Sequence, residues 1–447
     1  MVAVAQERRP LPRIAAWRAA ARLRRLVRQP VELVVELAAG GEISPFVNSK
    51  SFFVNTPQLA YELVVQHAGD VERSTLDRGN LLPLVGESVL TAVQPAHRRQ
   101  RKLLAPAFNH KRVMAYGATM AAMSEQLQQS WTEGAKIELH EAMVRLTLEV
   151  VAQALFGASI DRYFAQLFRS ISELARLTTV SSSMGLHAPH SWPTPRNVRF
   201  RRALRQVDAI LFALIQERRG SQEDRGDFLS MLLETRDTET GKGMDDQQIR
   251  DEAMTIFLAG HETTANALSW TWDLVMRHPA VYERLTAETS ATLDGRSPGV
   301  ADLPAMPYVG QVFKEAMRLY PPVWFLDRQV THPFDLGGYS FPIGTLLVLS
   351  PYTLHRNPDY FADPERFDPD RFVPGQEEAW PRMAYMPFGD GPRVCLGNHF
   401  ALLEGQLILA TLAQRVRFEP LSTAKVPLYP VVTLRPGGPI PARVHRR

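Results

Sequence analysis

Apolar positions recur at three- and four-residue spacing over most of the chain, the signature of amphipathic helix. The tracts 110–135, 138–156, 160–178, 198–219 and 225–236 carry this spacing, separated by Gly, Pro and polar breaks. A short helix is predicted over 31–39, and another opens near Thr56-Pro57, where proline suits the first helical turn. The text becomes strand-like in Ser51-Phe52-Phe53-Val54 and again over 323–350, where Phe334-Asp335-Leu336-Gly337-Gly338-Tyr339 and Thr345-Leu346-Leu347-Val348-Leu349 read as short strands around turns. The segment 178–197, with Ser181-Ser182-Ser183, Gly185, Pro189, Pro193 and Pro195, reads as a long loop of the kind that often serves as a lid. The chain is therefore expected to be mainly α with small β-sheets, in one domain.

The longest helical pattern begins at Asp245, with Gln248 placed as a capping-box partner, and ends before Pro279. About thirty residues at a rise of roughly 1.5 Å each would cross an entire domain. Midway, the apolar stretch Met254 to Leu258 gives way to Ala259-Gly260-His261-Glu262-Thr263-Thr264. Polar groups inside a buried helix are costly unless paired or used. Ala259 and Thr263 lie four apart on one face, and their small size beside Gly260 would admit a flat cofactor to the backbone. Glu262 and Thr263 together can relay protons. A zinc-protease reading of His261-Glu262 fails, because the second histidine of that motif would fall at Ala265.

Composition narrows the classes. A net charge of +4 over 447 residues is too mild for nucleic-acid binding, and no aromatic-plus-basic interleaving stands out. No apolar run approaches the roughly 18–20 residues of a membrane span, and no signal-peptide pattern opens the chain, so a cytoplasmic location without a transmembrane span is expected. Residues 1–30 form a basic segment with arginines at 8, 9, 13, 18, 22, 24, 25 and 28, interleaved with Ile14, Trp17, Leu23, Leu26 and Val27. Such a segment is either a solvated surface helix or an amphipathic helix that touches lipid or a partner. A second basic cluster, His97, Arg98, Arg99, Arg101 and Lys102, lies in a helical stretch ending near Pro106. It suits the carboxylates of a bound cofactor, an acidic partner protein, or simple solvation.

The only cysteine, Cys395, stands in Phe388-Gly389-Asp390-Gly391-Pro392-Arg393-Val394-Cys395-Leu396-Gly397, ahead of an apolar helix over about 398–412. A lone cysteine forms no internal disulfide and supplies no cysteine-rich metal site. Its options are nucleophile, redox sensor, axial haem ligand or buried structural residue. Arg393, the start of the following helix and N–H groups freed by Gly391 and Gly397 would favour a thiolate. Two further motifs flank it. Glu315 and Arg318 are three apart on one helix face, and Phe367-Asp368-Pro369-Asp370-Arg371-Phe372 can bring Arg371 against the same acid.

Together, and in this order, the Ala259–Thr264 helix, Glu315-Ala316-Met317-Arg318, the Arg371 segment and the cysteine loop resemble the cytochrome P450 superfamily of haem-thiolate monooxygenases, of soluble bacterial type. The resemblance extends over most of the chain, and the loop matches F-x-x-G-x-R-x-C-x-G at every fixed position. It implies residues 31–447 as a single large haem-binding domain, haem b (iron protoporphyrin IX) as cofactor and O2 as co-substrate. Cys395 would be the axial iron ligand, and Glu262 and Thr263 the acid–alcohol pair that delivers protons for oxygen activation. Glu315, Arg318 and Arg371 would form a structural ion-pair triad. The family often has Trp where this chain has His97; His97, Arg101, Arg328 and Arg393 would hold the haem propionates, and Ala259 would face the cofactor. Pro364-Glu365-Arg366-Phe367 is a literal P-E-R-F string, yet spacing to the cysteine favours Pro369-Asp370-Arg371-Phe372 as the family's equivalent segment.

The resemblance further implies electrons from a separate ferredoxin or flavodoxin with its NAD(P)H reductase, docked on a basic surface around Arg98, Arg99 and Lys102. Segments expected to line the pocket, 79–90, the lid, 254–259, 323–326 and 431–433, are mostly apolar, so the substrate is expected to be apolar: a terpenoid or similar hydrocarbon-rich lipid, a fatty acid or a carotenoid. A peroxide-driven peroxygenase and a non-catalytic haem sensor are the alternatives. The first would usually lack the acid–alcohol pair, and the second would be expected to carry a signalling domain.

Overall fold

The apolar spacing becomes helix in the computed structural model, which describes residues 9–177, 191–221 and 225–447. Helices dominate and the sheets are small, as predicted. The chain gathers into two compact units: Met1–Gly79, Arg318–Arg366 and Pro374–Cys395 form one, and Asn80–Met317, Phe367–Val373 and Leu396–Arg447 the other.

The first unit is built on a five-stranded sheet in the order Ile43–Pro45, Ser51–Val54, Leu346–Leu349, Leu326–Val330, Val71–Glu72. Only the Ser51–Val54 and Leu346–Leu349 pair is parallel. Every residue of Ser51–Val54 is buried, which is why Phe52-Phe53-Val54 is a continuous apolar run rather than an alternation. The helix Pro30–Ala38 starts on its proline and buries Val31, Leu33, Val34 and Leu37. Thr56 caps the helix Pro57–Tyr61 by accepting from the Leu59 N–H.

The second unit is organised by the helix Asp246–Arg277, whose 32 residues are capped by Asp245 accepting from the Gln248 N–H at 2.8 Å. This long helix packs along the helix Leu139–Phe156. Thr147 Oγ1 donates to the His261 carbonyl at 3.0 Å. A Cβ at Gly260 would come within 3.1 Å of Val151 Cγ2, so this glycine serves close helix packing. Trp270 and Trp272 are fully buried, and Trp270 Nε1 donates to the Leu434 carbonyl at 3.0 Å.

Two differences from the predicted elements have physical causes. The tract 110–135 is broken at Tyr116 into His110–Ala115 and Gly117–Gln129. A Cβ at Gly117 would meet Val300 Cγ2 at 2.3 Å, so close packing governs this point of the chain. The C-terminal strands Val416–Pro420 and Pro441–Arg446, with Lys136–Glu138, form a three-stranded sheet, and Leu428–Pro430 pairs with Leu434–Pro436. Lys136–Glu138, Leu428–Pro430 and Leu434–Pro436 are three residues each, too short for periodicity to reveal them. Of the expected lid over 178–197, residues 178–190 lie outside the described residues, and Pro195 already begins the helix Pro195–Ser221. Among the described residues no helix is long and apolar enough to cross a membrane.

Candidate active site

Cys395 ends a tight loop in the first unit. Its N–H donates to the Phe388 carbonyl at 3.0 Å, and the thiol-bearing residue is exposed. Two features hold the loop in shape. Gly391 has φ +69°, and a Cβ there would lie 2.2 Å from the Val64 carbonyl oxygen, so only glycine fits. Asp390 accepts from the Gly391 N–H at 2.6 Å and is clamped by Arg382 at 2.7 and 2.9 Å. That Arg382 hydrogen bond, set against partial burial, keeps the Asp390 carboxyl below its ordinary range. The Gly391 N–H, expected to be free for the sulfur, is thus committed to Asp390. Upstream, the Met386 N–H donates to Nε2 of buried His355 at 2.8 Å, which fixes the entry to the loop.

In the second unit the long helix is buried along most of its middle and far half, yet Ala259 is exposed and Gly260, Glu262 and Thr263 are half-buried. Thr263 Oγ1 donates to the Ala259 carbonyl at 2.7 Å. Its proton is therefore engaged, and its lone pairs remain to accept. Met254 and Phe257, expected near the pocket, are packed in the core, while Ile256 and Leu258 keep partial exposure. His261 is buried, its Nδ1 2.7 Å from the Phe257 carbonyl, and burial pushes its pKa down. It is a neutral structural residue.

Glu262 has partners that the sequence did not reveal. Arg435 Nε and Nη2 both lie 2.8 Å from its Oε1, and Thr433 Oγ1 donates to the same oxygen. Burial alone would raise the carboxyl's pKa, but the Arg435 charge and the Thr433 hydroxyl outweigh it and hold Glu262 below its ordinary value. No local signal could have found Arg435, which stands 173 residues away along the chain.

Of the four candidate propionate ligands, two lie in each unit. His97 and Arg101 lie four apart on the helix Ala96–Leu104; His97 is buried with Gln94 Nε2 3.4 Å from its Nδ1. Arg328 lies in the strand Leu326–Val330 opposite Leu347, nearly buried, and donates to the Asp327 carbonyl at 2.6 Å. Arg393 is half-buried and ion-paired with Glu72 through Nη2. The basic docking surface is less free than expected: Arg99 pairs with Asp237 and Lys102 with Glu239, each at 3.1 Å.

Glu315 is fully buried. Arg371 Nε lies 3.4 Å from its Oε1, and the Asp368 N–H donates to that oxygen at 2.9 Å. The structure thus brings Arg371 to Glu315, whereas Glu365 of the P-E-R-F string pairs with Arg356. Arg318, also fully buried, donates to the carbonyls of His355, Pro364 and Arg366 at 2.9, 2.7 and 3.1 Å. It ties together the segment that precedes the cysteine loop.

The accessible thiol of Cys395 is a single soft donor for a metal. Among the described residues no group of three or more His, Cys, Asp or Glu is arranged to hold an ion, while a single soft thiol is accessible. The exposed Ala259, one turn from Thr263 in an otherwise buried helix, leaves backbone open to a flat group.

Known proteins agree with this reading. The family model described as Cytochrome P450 matches residues 45–439. Cyclooctatin synthase of Streptomyces melanosporofaciens is 34% identical over 419 residues, covering 92% of this chain and 90% of the relative. Cyclooctat-9-en-7-ol 5-monooxygenase of the same organism is 35% identical over 399 residues (89% and 86%), and pentalenene oxygenase of Streptomyces avermitilis is 32% identical over 405 residues (88% and 88%). The crystal structure of the cytochrome P450DA heme domain shares the fold with a TM-score of 0.85 at 24% identity, covering 95% of each chain. Retinoic acid bound cyanobacterial CYP120A1 has a TM-score of 0.82 at 26% identity, covering 91% of this chain and 92% of that one. The chain belongs to the cytochrome P450 family of monooxygenases, which use a haem-iron cofactor, O2 and electrons from a redox partner.

Proposed function

We propose that the chain, through a haem domain over residues 31–447, inserts one atom of O2 into a terpenoid or similarly hydrocarbon-rich substrate. The second oxygen atom leaves as water, at the expense of two electrons and two protons. Haem b would be held by the Cys395 thiolate, with His97, Arg101, Arg328 and Arg393 for its propionates and Ala259 beside it. When bound, the haem supplies the oxygen-activating iron, made electron-rich by the thiolate.

The remaining work belongs to the protein. Thr263 Oγ1, whose O–H donates to the Ala259 carbonyl, accepts a hydrogen bond from the group that carries the incoming proton and orients it. Glu262 has Oε1 occupied by Arg435 and Thr433, so Oε2 is the oxygen that takes up and passes a proton. Glu315, Arg318 and Arg371 hold the surrounding backbone. The observation that carries the reading is this hydroxyl on the accessible face of a buried helix, next to a carboxylate kept ionised. The substrate class is supported by the partly exposed Ile256 and Leu258 and by relatives that modify terpenoids. A ferredoxin or flavodoxin with its NAD(P)H reductase would supply electrons, in the cytoplasm.

The test is the carbon monoxide difference spectrum of the reduced protein. A strongly red-shifted Soret band, absent in Cys395→Ser, is the expected result. A histidine-type carbonyl band in the wild type would overturn the thiolate assignment. Terpene alcohols should then shift the haem spin state on binding.

A further inference from the structure

The helix Ala16–Arg28 contains five arginines and no acidic residue. One edge is fastened to its own unit. Arg25 pairs with Glu36, Arg22 donates to the carbonyls of Pro45 and Phe46, and Ala19 and Leu26 beside them are half-buried. Among the described residues the rest of the helix is uncovered, and none of its residues is buried.

That bare surface is ordered. Ala16, Ala20, Leu23 and Val27 follow i, i+4, i+7, i+11 spacing and form one apolar stripe, with Leu23 46% and Val27 37% exposed. Beside the stripe stand Arg24 and Arg28, with Trp17, 69% exposed, between them around the helix and the Arg18 guanidinium 5.1 Å from its ring centre. Among the described residues Arg18, Arg24 and Arg28 have no carboxylate partner. A solvated helix has no use for this stripe, and an acidic protein partner would answer only the arginines. A bilayer with anionic headgroups answers both: hydrocarbon takes the stripe, the indole sits at headgroup level, and phosphates meet the guanidinium groups.

We propose that the helix Ala16–Arg28 docks this protein, lying flat, on anionic lipid bilayers. None of its residues belongs to the oxygenase site.

The experiment is co-sedimentation of the full-length holoprotein with vesicles of phosphatidylcholine alone, and of phosphatidylcholine mixed with phosphatidylglycerol. Binding to the mixed vesicles and little to the neutral ones is expected. Arg24→Gln with Arg28→Gln should weaken binding roughly 30-fold, from about 1 kcal/mol per basic residue at an anionic surface. Leu23→Ser with Val27→Ser should weaken it by roughly tenfold or more. All four positions are exposed, and an unchanged circular dichroism spectrum checks the fold. Equal binding to both vesicle types would overturn the proposal. So would a Leu23/Val27 variant that binds as tightly as the wild type, which would mark charge capture alone. Loss of ferredoxin binding in the arginine variant, with vesicles ignored by the wild type, would reassign the helix to protein docking.

Discussion

Arg435 grips a single oxygen of Glu262, with Nε and Nη2 each 2.8 Å from Oε1. Replacing it in Arg435→Leu leaves a largely buried carboxyl whose environment is then governed by desolvation, so its pKa should rise above the ordinary value of 4.5. In the wild type the depressed pKa contributes stability that is present above 4.5 and lost as pH falls through the lower folded value. The variant should be less stable at neutral pH by about 2 kcal/mol and should lack that acid-side loss. Urea unfolding at pH 7 and across the acid range measures both.

Thr263→Ala removes the acceptor on the accessible face while leaving the helix intact. Product formed per electron pair should fall roughly tenfold or more, with hydrogen peroxide rising, in keeping with the weight of a positioned proton transfer. Thr263→Ser keeps an oxygen at the same place and should retain most of the coupling. Unchanged coupling in the alanine variant would remove Thr263 from the relay.

Glu252 is a second buried acid, with a different role. The Val89 N–H donates to its two carboxyl oxygens at 3.1 and 3.0 Å, which ties the 86–91 turn to the long helix. Burial, with Asp251 adding to it against the Val89 hydrogen bond, pushes its pKa up to about 8. A raised folded pKa gives stability that is full below the unfolded value and is lost as pH climbs toward about 8. Glu252→Gln, neutral at every pH, should flatten this part of the decline between pH 5 and 8. Melting temperature against pH for the two proteins tests it.

Arg371 and Arg366 can be separated by the same kind of measurement. Arg371→Ala removes the guanidinium 3.4 Å from fully buried Glu315 and should cost about 3 kcal/mol, with haem retention falling in step. Arg366 is exposed and serves Arg318 through its backbone carbonyl, which alanine keeps, so Arg366→Ala should cost about 1 kcal/mol or less. The reverse order would move the ion pair to the P-E-R-F string.

Local signals were legible from sequence. The Asp245 cap with Gln248, the strand Ser51–Val54 and the glycine-bracketed cysteine loop rest on neighbours a few residues apart. The spacing also brought Arg371, rather than Arg366, to Glu315. What stayed hidden depends on chain returning from afar. Arg435 and Thr433 reach Glu262 from C-terminal text whose strands are three residues long or so, and Asp237 and Glu239 neutralise Arg99 and Lys102 from another stretch. Gly391 was legible as a required glycine, but the destination of its N–H was not, because Asp390 had to fold back on its own loop.

The solitary thiol also makes this protein its own standard. Cys395 is exposed and is the only sulfhydryl in the chain, so a maleimide marks one position per molecule. Iron coordination would silence that reaction. The maleimide titre and the haem titre of an undamaged preparation should therefore sum to one per chain, and a shortfall would count sulfur lost to oxidation. With no second cysteine to trap it, an oxidised Cys395 can pair only with another molecule, and the appearance of covalent dimers would register emptied protein directly.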